Sequence, residues 1–173
     1  IIDDNLCPLV SIETYKDDPI PFFDKLPKSL FITDSNGTIK MKRAMKAKRY
    51  SHLDLALVSG STTAISVVHK ELGDTGETFY VTDFIIKIQT TDILKVEKIL
   101  DLYKDLKYKA GILFESITAD QFQSVSLLQR IEDLRIANKV SRLSLDTTAN
   151  PFKAVAALVS QGVVKTGRNP ELI

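Results

Sequence analysis

The chain has 173 residues, of which 44% are hydrophobic and 26% charged, and its 23 basic and 22 acidic side chains leave a net charge of +1. Such a balance excludes a largely disordered chain, a collagen or coiled-coil repeat and any global attraction to polyanions, and the length predicts one domain over residues 1–173. Cys7 alone permits no internal disulfide and points to an intracellular, cytoplasmic setting. Placed before Pro8 in an apolar run, it reads as a small buried hydrophobe rather than a nucleophile. No apolar run reaches the roughly 18 residues that span a bilayer, so no transmembrane segment is expected, and the start IIDDNLCPLV lacks the basic region of a signal peptide.

Residues 1–29 hold four of the six prolines, at positions 8, 19, 21 and 27, with a turn signal at Asp17-Asp18-Pro19. Proline fixes φ and removes a donor, so this stretch is expected to be an arm packed on the body. Leu9 to Ile12 forms a short strand in this reading, Phe22, Phe23 and Leu26 tie the arm down, and the arm is also a place for a swapped contact that makes a homo-oligomer.

Leu30 to Thr33 and Thr38 to Met41 are β-prone runs around Asp34-Ser35-Asn36-Gly37, and Asn-Gly supplies the two positive-φ residues of a type I′ hairpin turn. The second arm runs into Lys40, Lys42, Arg43, Lys46, Lys48 and Arg49, six cations without a carboxylate between Ile39 and Tyr50. Alternation on a strand turns Ile39 and Met41 inward and Lys40 and Lys42 to water. Two roles fit this pattern: an edge strand guarded by lysines, or an anion-binding patch with Tyr50 available to stack. The hairpin FITDSNGTI also resembles the opening of sensory PAS-type domains and of the roadblock family, which implies small-molecule sensing or scaffolding.

His52 to Val58 and Thr62 to Val68, separated by Ser59-Gly60-Ser61, predict a hairpin; the competing reading is one helix from Leu53 to Leu72 closed by Gly73. After a turn at Gly73-Asp74-Thr75-Gly76, Glu77 to Gln89 is the longest strand candidate, apolar on both faces and therefore central, with Asp83 the exception inside it. Thr91 is placed to cap a helix in which Ile93, Val96, Leu100, Tyr103 and Leu106 recur at helical spacing as far as Lys107. A buried strand follows from Tyr108 to Phe114. Thr118 with Gln121 forms a capping box, stapled by Ile117 and Phe122, for a helix with Val125, Leu128, Ile131 and Leu134 inside. Val140 to Leu145 predicts another strand, and Asn150 with Pro151 starts a last helix whose Val155, Leu158 and Val159 face inward. Gly167 to Ile173 reads as a tail. The order predicts an α/β fold, with α+β as the alternative: antiparallel hairpin and meander strands, then a β-α-β-α-β-α half, in one mixed sheet with packed helices.

Parallel sheets bind ligands at the carboxyl ends of their strands, here assigned to Glu115-Ser116-Ile117-Thr118 and Asp146-Thr147-Thr148-Ala149-Asn150; both also read as helix caps. Neither loop has the glycines that wrap a phosphate, so no nucleotide cofactor is expected. Glu71, Asp74, Glu77 and Asp83 with His69 invite a metal reading, yet their spacing matches no loop signature, and solvated charges around a turn explain them. Asp83 with Lys87, four apart and hence on one strand face, is a nuclease-like pair without a glutamate partner. His52 and His69 lack any nucleophile elbow beside them. The reading is therefore a non-enzymatic binding or assembly domain, of a viral or regulatory kind, that engages nucleic acid or an anionic membrane surface through Lys40, Lys42, Arg43, Lys46, Lys48, Arg49 and Tyr50. A PAS-type or roadblock-type sensing or scaffolding domain and a metal-dependent nuclease are the alternatives.

Overall fold

The computed structural model describes residues 1–15, 18–120, 124–143 and 149–169. Its strands are β1 (Leu9–Thr14), β2 (Phe31–Thr33), β3 (Ile39–Met41), β4 (Lys48–Asp54), β5 (Thr62–Leu72), β6 (Thr78–Thr90), β7 (Leu113–Ala119), β8 (Ala137–Arg142) and β9 (Val164–Lys165), and its helices are α1 (Val96–Tyr108), α2 (Val125–Asp133) and α3 (Asn150–Ser160). Seven strands form one mixed sheet in the order β1-β6-β5-β4-β7-β8, with β9 also beside β6, whereas β2 and β3 pair only with each other. This is the expected α/β arrangement: β4, β5 and β6 make an antiparallel meander, then β7 joins β4 and β8 joins β7 in parallel. The β-branched Ile65, Val67 and Val68 sit in β5, so the stretch from 53 to 72 is a hairpin and not a helix.

One face of the sheet is the core. Ser51 and Leu53 from β4, Ile65 and Val67 from β5, and Phe84, Ile86 and Ile88 from β6 are buried against Ile99, Leu100, Tyr103 and Leu106 of α1 and against Leu127, Leu128 and Ile131 of α2. Tyr103 stacks edge-on to Phe114 with ring centroids 5.5 Å apart, and its hydroxyl meets Ser51 Oγ at 2.8 Å. The amino-terminal arm completes the cover. Phe22 is fully buried, 5.9 Å from the Phe84 ring and 6.2 Å from that of Phe31.

Tertiary pairing overrides several local signals. Thr91 does not cap α1: Leu94 is buried with its N–H on the Leu57 carbonyl at 3.0 Å, Ile93 is exposed, and the helix starts only at Val96. Strand β7 extends through Thr118 to Ala119, pairing with β4 and β8, so Thr118 is no helix cap and α2 begins after Ser124; Gln121 and Phe122 lie outside the described residues. Within α2, Leu127 takes the inner place expected of Val125 and Leu134, which are exposed. Strand β8 starts three residues before the expected Val140. Pro151 does open α3, but that helix has no buried residue, and Val155 and Val159 are 56% and 57% exposed because α1, α2 and the arm already cover the core face.

The hairpin β2–β3 forms where expected, with a different turn. Gly37 has φ +79 but Asn36 stays out of the positive-φ region, the Asp34 N–H reaches the Thr38 carbonyl at 2.9 Å, and Asp34 Oδ1 accepts from Asn36 N and Thr38 N at 2.9 Å. This is a turn ending in a glycine bulge rather than type I′, because the Asp34 carboxylate organises it. The carboxyl-terminal stretch is also more than a tail: Thr166 bridges Ile2, and a Cβ on Gly167 would stand 1.8 Å from the Leu6 carbonyl oxygen, an approach only glycine permits.

Candidate functional site at the two ends of strand β4

Strand β4 alternates strictly, so its odd residues enter the core and its even ones face the open side of the sheet. This divides the basic segment. Arg49 is fully buried, while Lys48 is exposed and Tyr50 half-buried on the open face, where Lys70 Nζ lies 5.2 Å from its ring. Lys40 meets Asp34 at 3.5 Å, Lys48 meets Glu115 at 3.6 Å, and Arg43 takes both oxygens of Glu71, at 2.5 Å from Nε and 2.8 Å from Nη2. Lys42 and Lys46 are exposed, with no ion pair among the described residues. The seven residues therefore do not form one surface.

Inside, Arg49 anchors a charge network. It reaches Asp83 at 3.3 Å and donates to the carbonyls of Arg43, Ala44 and Ala47 at 2.9, 2.5 and 3.1 Å. His69, directly across from Arg49 in the β4–β5 ladder, bridges Asp83 Oδ2 at 2.9 Å and Glu71 Oε1 at 2.8 Å, and a carboxylate only accepts, so each ring nitrogen is placed to donate. Asp83 reaches this group through a β-bulge: Val67 faces Phe84 and Val68 faces Thr82, which leaves Asp83 as the extra residue and turns it inward. The bulge also reverses the alternation, so Asp83 is buried while Lys87 lies half-buried between the buried Ile86 and Ile88, and the expected Asp83–Lys87 pair does not share a face. The Arg43 guanidinium holds the Glu71 carboxyl down to about 2, and burial pushes the Cys7 thiol above its ordinary value.

The other end of β4 carries two carboxylates, Asp54 exposed and Asp120 half-buried. Leu53 is in register with Ala119, so Asp54 and Asp120 follow side by side at the carboxyl ends of two parallel neighbours, and the Asp120 N–H points at the Leu53 carbonyl at 3.4 Å. Like β6, β4 has an antiparallel neighbour on one side and a parallel one on the other, and the carboxyl ends of parallel strands are where open α/β sheets bind ligands. His52 shares the open face, its Nδ1 2.8 Å from Thr118 Oγ1. Thr118 Oγ1 also lies 3.4 Å from the Ser51 carbonyl, so the hydroxyl and the ring together fix the orientation of His52. Burial lowers the His52 pKa, against the opposing pull of Asp54 and Asp120, so a neutral ring stands beside the carboxylates at pH 7. Among the described residues no three His, Cys, Asp or Glu side chains converge as a metal-ligand set. Asp146 lies outside the described residues.

Sequence reasoning passed over Asp54 and Asp120. A lone aspartate after an apolar run reads as a turn residue, and only the seating of β7 against β4 brings the two together. The expected carboxyl-end residues Glu115 to Thr118 are instead inside β7.

No family model matches the chain, and no curated protein matches it significantly. Among solved structures it is similar in fold to the HK97 bacteriophage large terminase, with a TM-score of 0.52 and 12% identity over 73% of this chain and 31% of that one. No helix among the described residues is long and apolar enough to cross a membrane.

Proposed function

We propose that this domain cuts nucleic acid with the help of a divalent cation held by Asp54 and Asp120. The observation that carries the reading is the side-by-side placement of these carboxylates at the carboxyl ends of adjacent parallel strands, on the open face and beside a neutral histidine. Hard oxygen donors suit magnesium or manganese, and magnesium commonly takes only one or two protein carboxylates, the substrate phosphates completing its shell. A cation bound there supplies charge for the phosphoryl oxygens and a more acidic water. The chain's own part is to fix two carboxylates on a rigid sheet end and to keep a neutral His52 ring beside them. The solved structure with a similar fold is a bacteriophage large terminase, which agrees in direction with a viral setting. Binding through the basic segment alone has less support, since Arg43 and Arg49 are engaged internally.

The test is cleavage of labelled DNA and RNA in magnesium or manganese, with chelator controls. Asp54→Asn and Asp120→Asn are each expected to lower the rate about a hundredfold or more, the loss of several kcal/mol of charge stabilisation. Cleavage that survives chelation, or that is undiminished in both variants, overturns the assignment.

A further inference from the structure

A groove of about 300 Å³ lies between the β2–β3 hairpin, the 42–47 loop and the carboxyl end of α1. Ile39, Met45 and Leu113 form its floor and Lys40, Lys46 and Lys109 its rim, with no carboxylate among the described lining residues. Met45 and Leu113 are 45% and 49% exposed, so the floor is apolar surface left open to water.

The loop that carries Met45 and Lys46 is held in an uncommon conformation. Ala44 sits at φ +44, and the buried Arg49 guanidinium fixes the carbonyls of Arg43, Ala44 and Ala47. Backbone of this kind persists only where its surroundings over-determine it, and such strain concentrates at binding sites. Its outcome here is a methionine, an adaptable contact residue, presented outward next to a lysine. The lysines can turn to a partner: Lys46 has no ion pair among the described residues, and Lys40 with Asp34 and Lys109 with Asp105 and the Phe23 ring make surface contacts of little energy.

We propose that this groove docks an acidic peptide segment of another protein, with one bulky apolar side chain on the Ile39-Met45-Leu113 floor and carboxylates on the lysine rim. An aliphatic floor selects a peptide over a nucleic-acid strand, which needs open ring faces for its bases; the one ring among the described lining residues, Tyr108, has Lys107 Nζ 5.6 Å from its centroid. The groove adjoins the amino end of β4, roughly 20 Å along the strand from Asp54, so it is separate from the carboxylate pair and stands or falls without it.

The probe is a short fluorescein-labelled peptide of Asp and Glu around a Leu-Phe anchor, compared with a version whose anchor is Ser-Ser and with unlabelled oligothymidylate as competitor. Saturable binding is expected, weakened about tenfold or more by loss of the anchor and by Met45→Glu, and several-fold by Lys46→Glu. Met45 and Lys46 are exposed, so both variants are expected to keep the wild-type melting transition, and Asp54→Asn should leave peptide affinity unchanged whatever it does to cleavage. Absence of saturable binding, equal affinity for the anchorless peptide, indifference to Met45→Glu, or displacement by oligothymidylate at lower concentration than by unlabelled peptide would each overturn the proposal.

Discussion

At the amino end of β4, charge is folded into the protein: Arg49 is fully buried, its guanidinium meets Asp83 and three loop carbonyls, and His69 carries the network on to Glu71 and Arg43. At the carboxyl end the same strand leaves Asp54 exposed, with no ion pair among the described residues, beside Asp120. The two ends show that density of charge along a sequence and availability of charge in the fold are separate properties. A buried ion must be matched or it destabilises the protein, so a network of this kind is closed to outside ligands. A carboxylate left open to water is free for chemistry.

The sharpest way to break this comparison is to treat Arg49 as though it were a surface cation. Arg49→Met would leave buried Asp83 with His69 but without its guanidinium and release the carbonyls of Arg43, Ala44 and Ala47, an expected loss of about 3 to 5 kcal/mol. Lys42→Gln, in the same basic run but exposed, should stay within about 0.5 kcal/mol of wild type. Urea denaturation with matched slopes measures both. If the two variants unfold at the same midpoint, the buried network has no structural role and the division of the segment collapses.

A second test uses pH. Glu71 is ordinarily a 4.5 carboxyl and is held down to about 2, chiefly by hydrogen bonds from Arg43, so as the pH falls the unfolded chain takes up the proton first. Its stabilising contribution is complete above about pH 4.5 and is lost as the pH drops toward 2. Glu71→Gln is expected to lose about 1 to 2 kcal/mol at neutral pH, since the carboxylate is partly open to solvent, and to flatten the decline of stability across that acid window. Parallel pH profiles for wild type and variant would show that Glu71 belongs to the surface and not to the network.

How much of this was legible follows from the range of each signal. The order of strands and helices could be read because β-branched runs such as Ile65 to Val68 and the Leu100-Tyr103-Leu106 spacing are local. The cation run was equally plain, and Asp83 stood out as an acid inside an apolar strand. What joined them could not be read: Arg49 meets His69 through cross-strand register, and Asp83 reaches them through a bulge that no residue type announces. The capping signals at Thr91 and Thr118 were genuine local preferences, overridden when Leu94 was buried and when β7 paired past Thr118. Asp54 and Asp120 are 66 positions apart in the sequence and acquire meaning only from the parallel seating of β7 on β4.

The smallest effect is the most discriminating. Where a charge is kept for function and not for folding, removing it should cost the fold nothing. Asp54→Asn keeps the shape of an exposed side chain and relieves its repulsion with Asp120, whose carboxyl lies close enough for both to act on His52. Stability is therefore expected to rise by about 0 to 1 kcal/mol, the trade between stability and activity common at functional sites. Measured in chelator, so that no bound cation offsets the repulsion, thermal and urea unfolding should place Asp54→Asn at or above wild type while Arg49→Met falls far below it. A loss of more than about 1 kcal/mol in Asp54→Asn would mean that this carboxylate, too, is part of the structure, and that the two ends of β4 use charge in the same way.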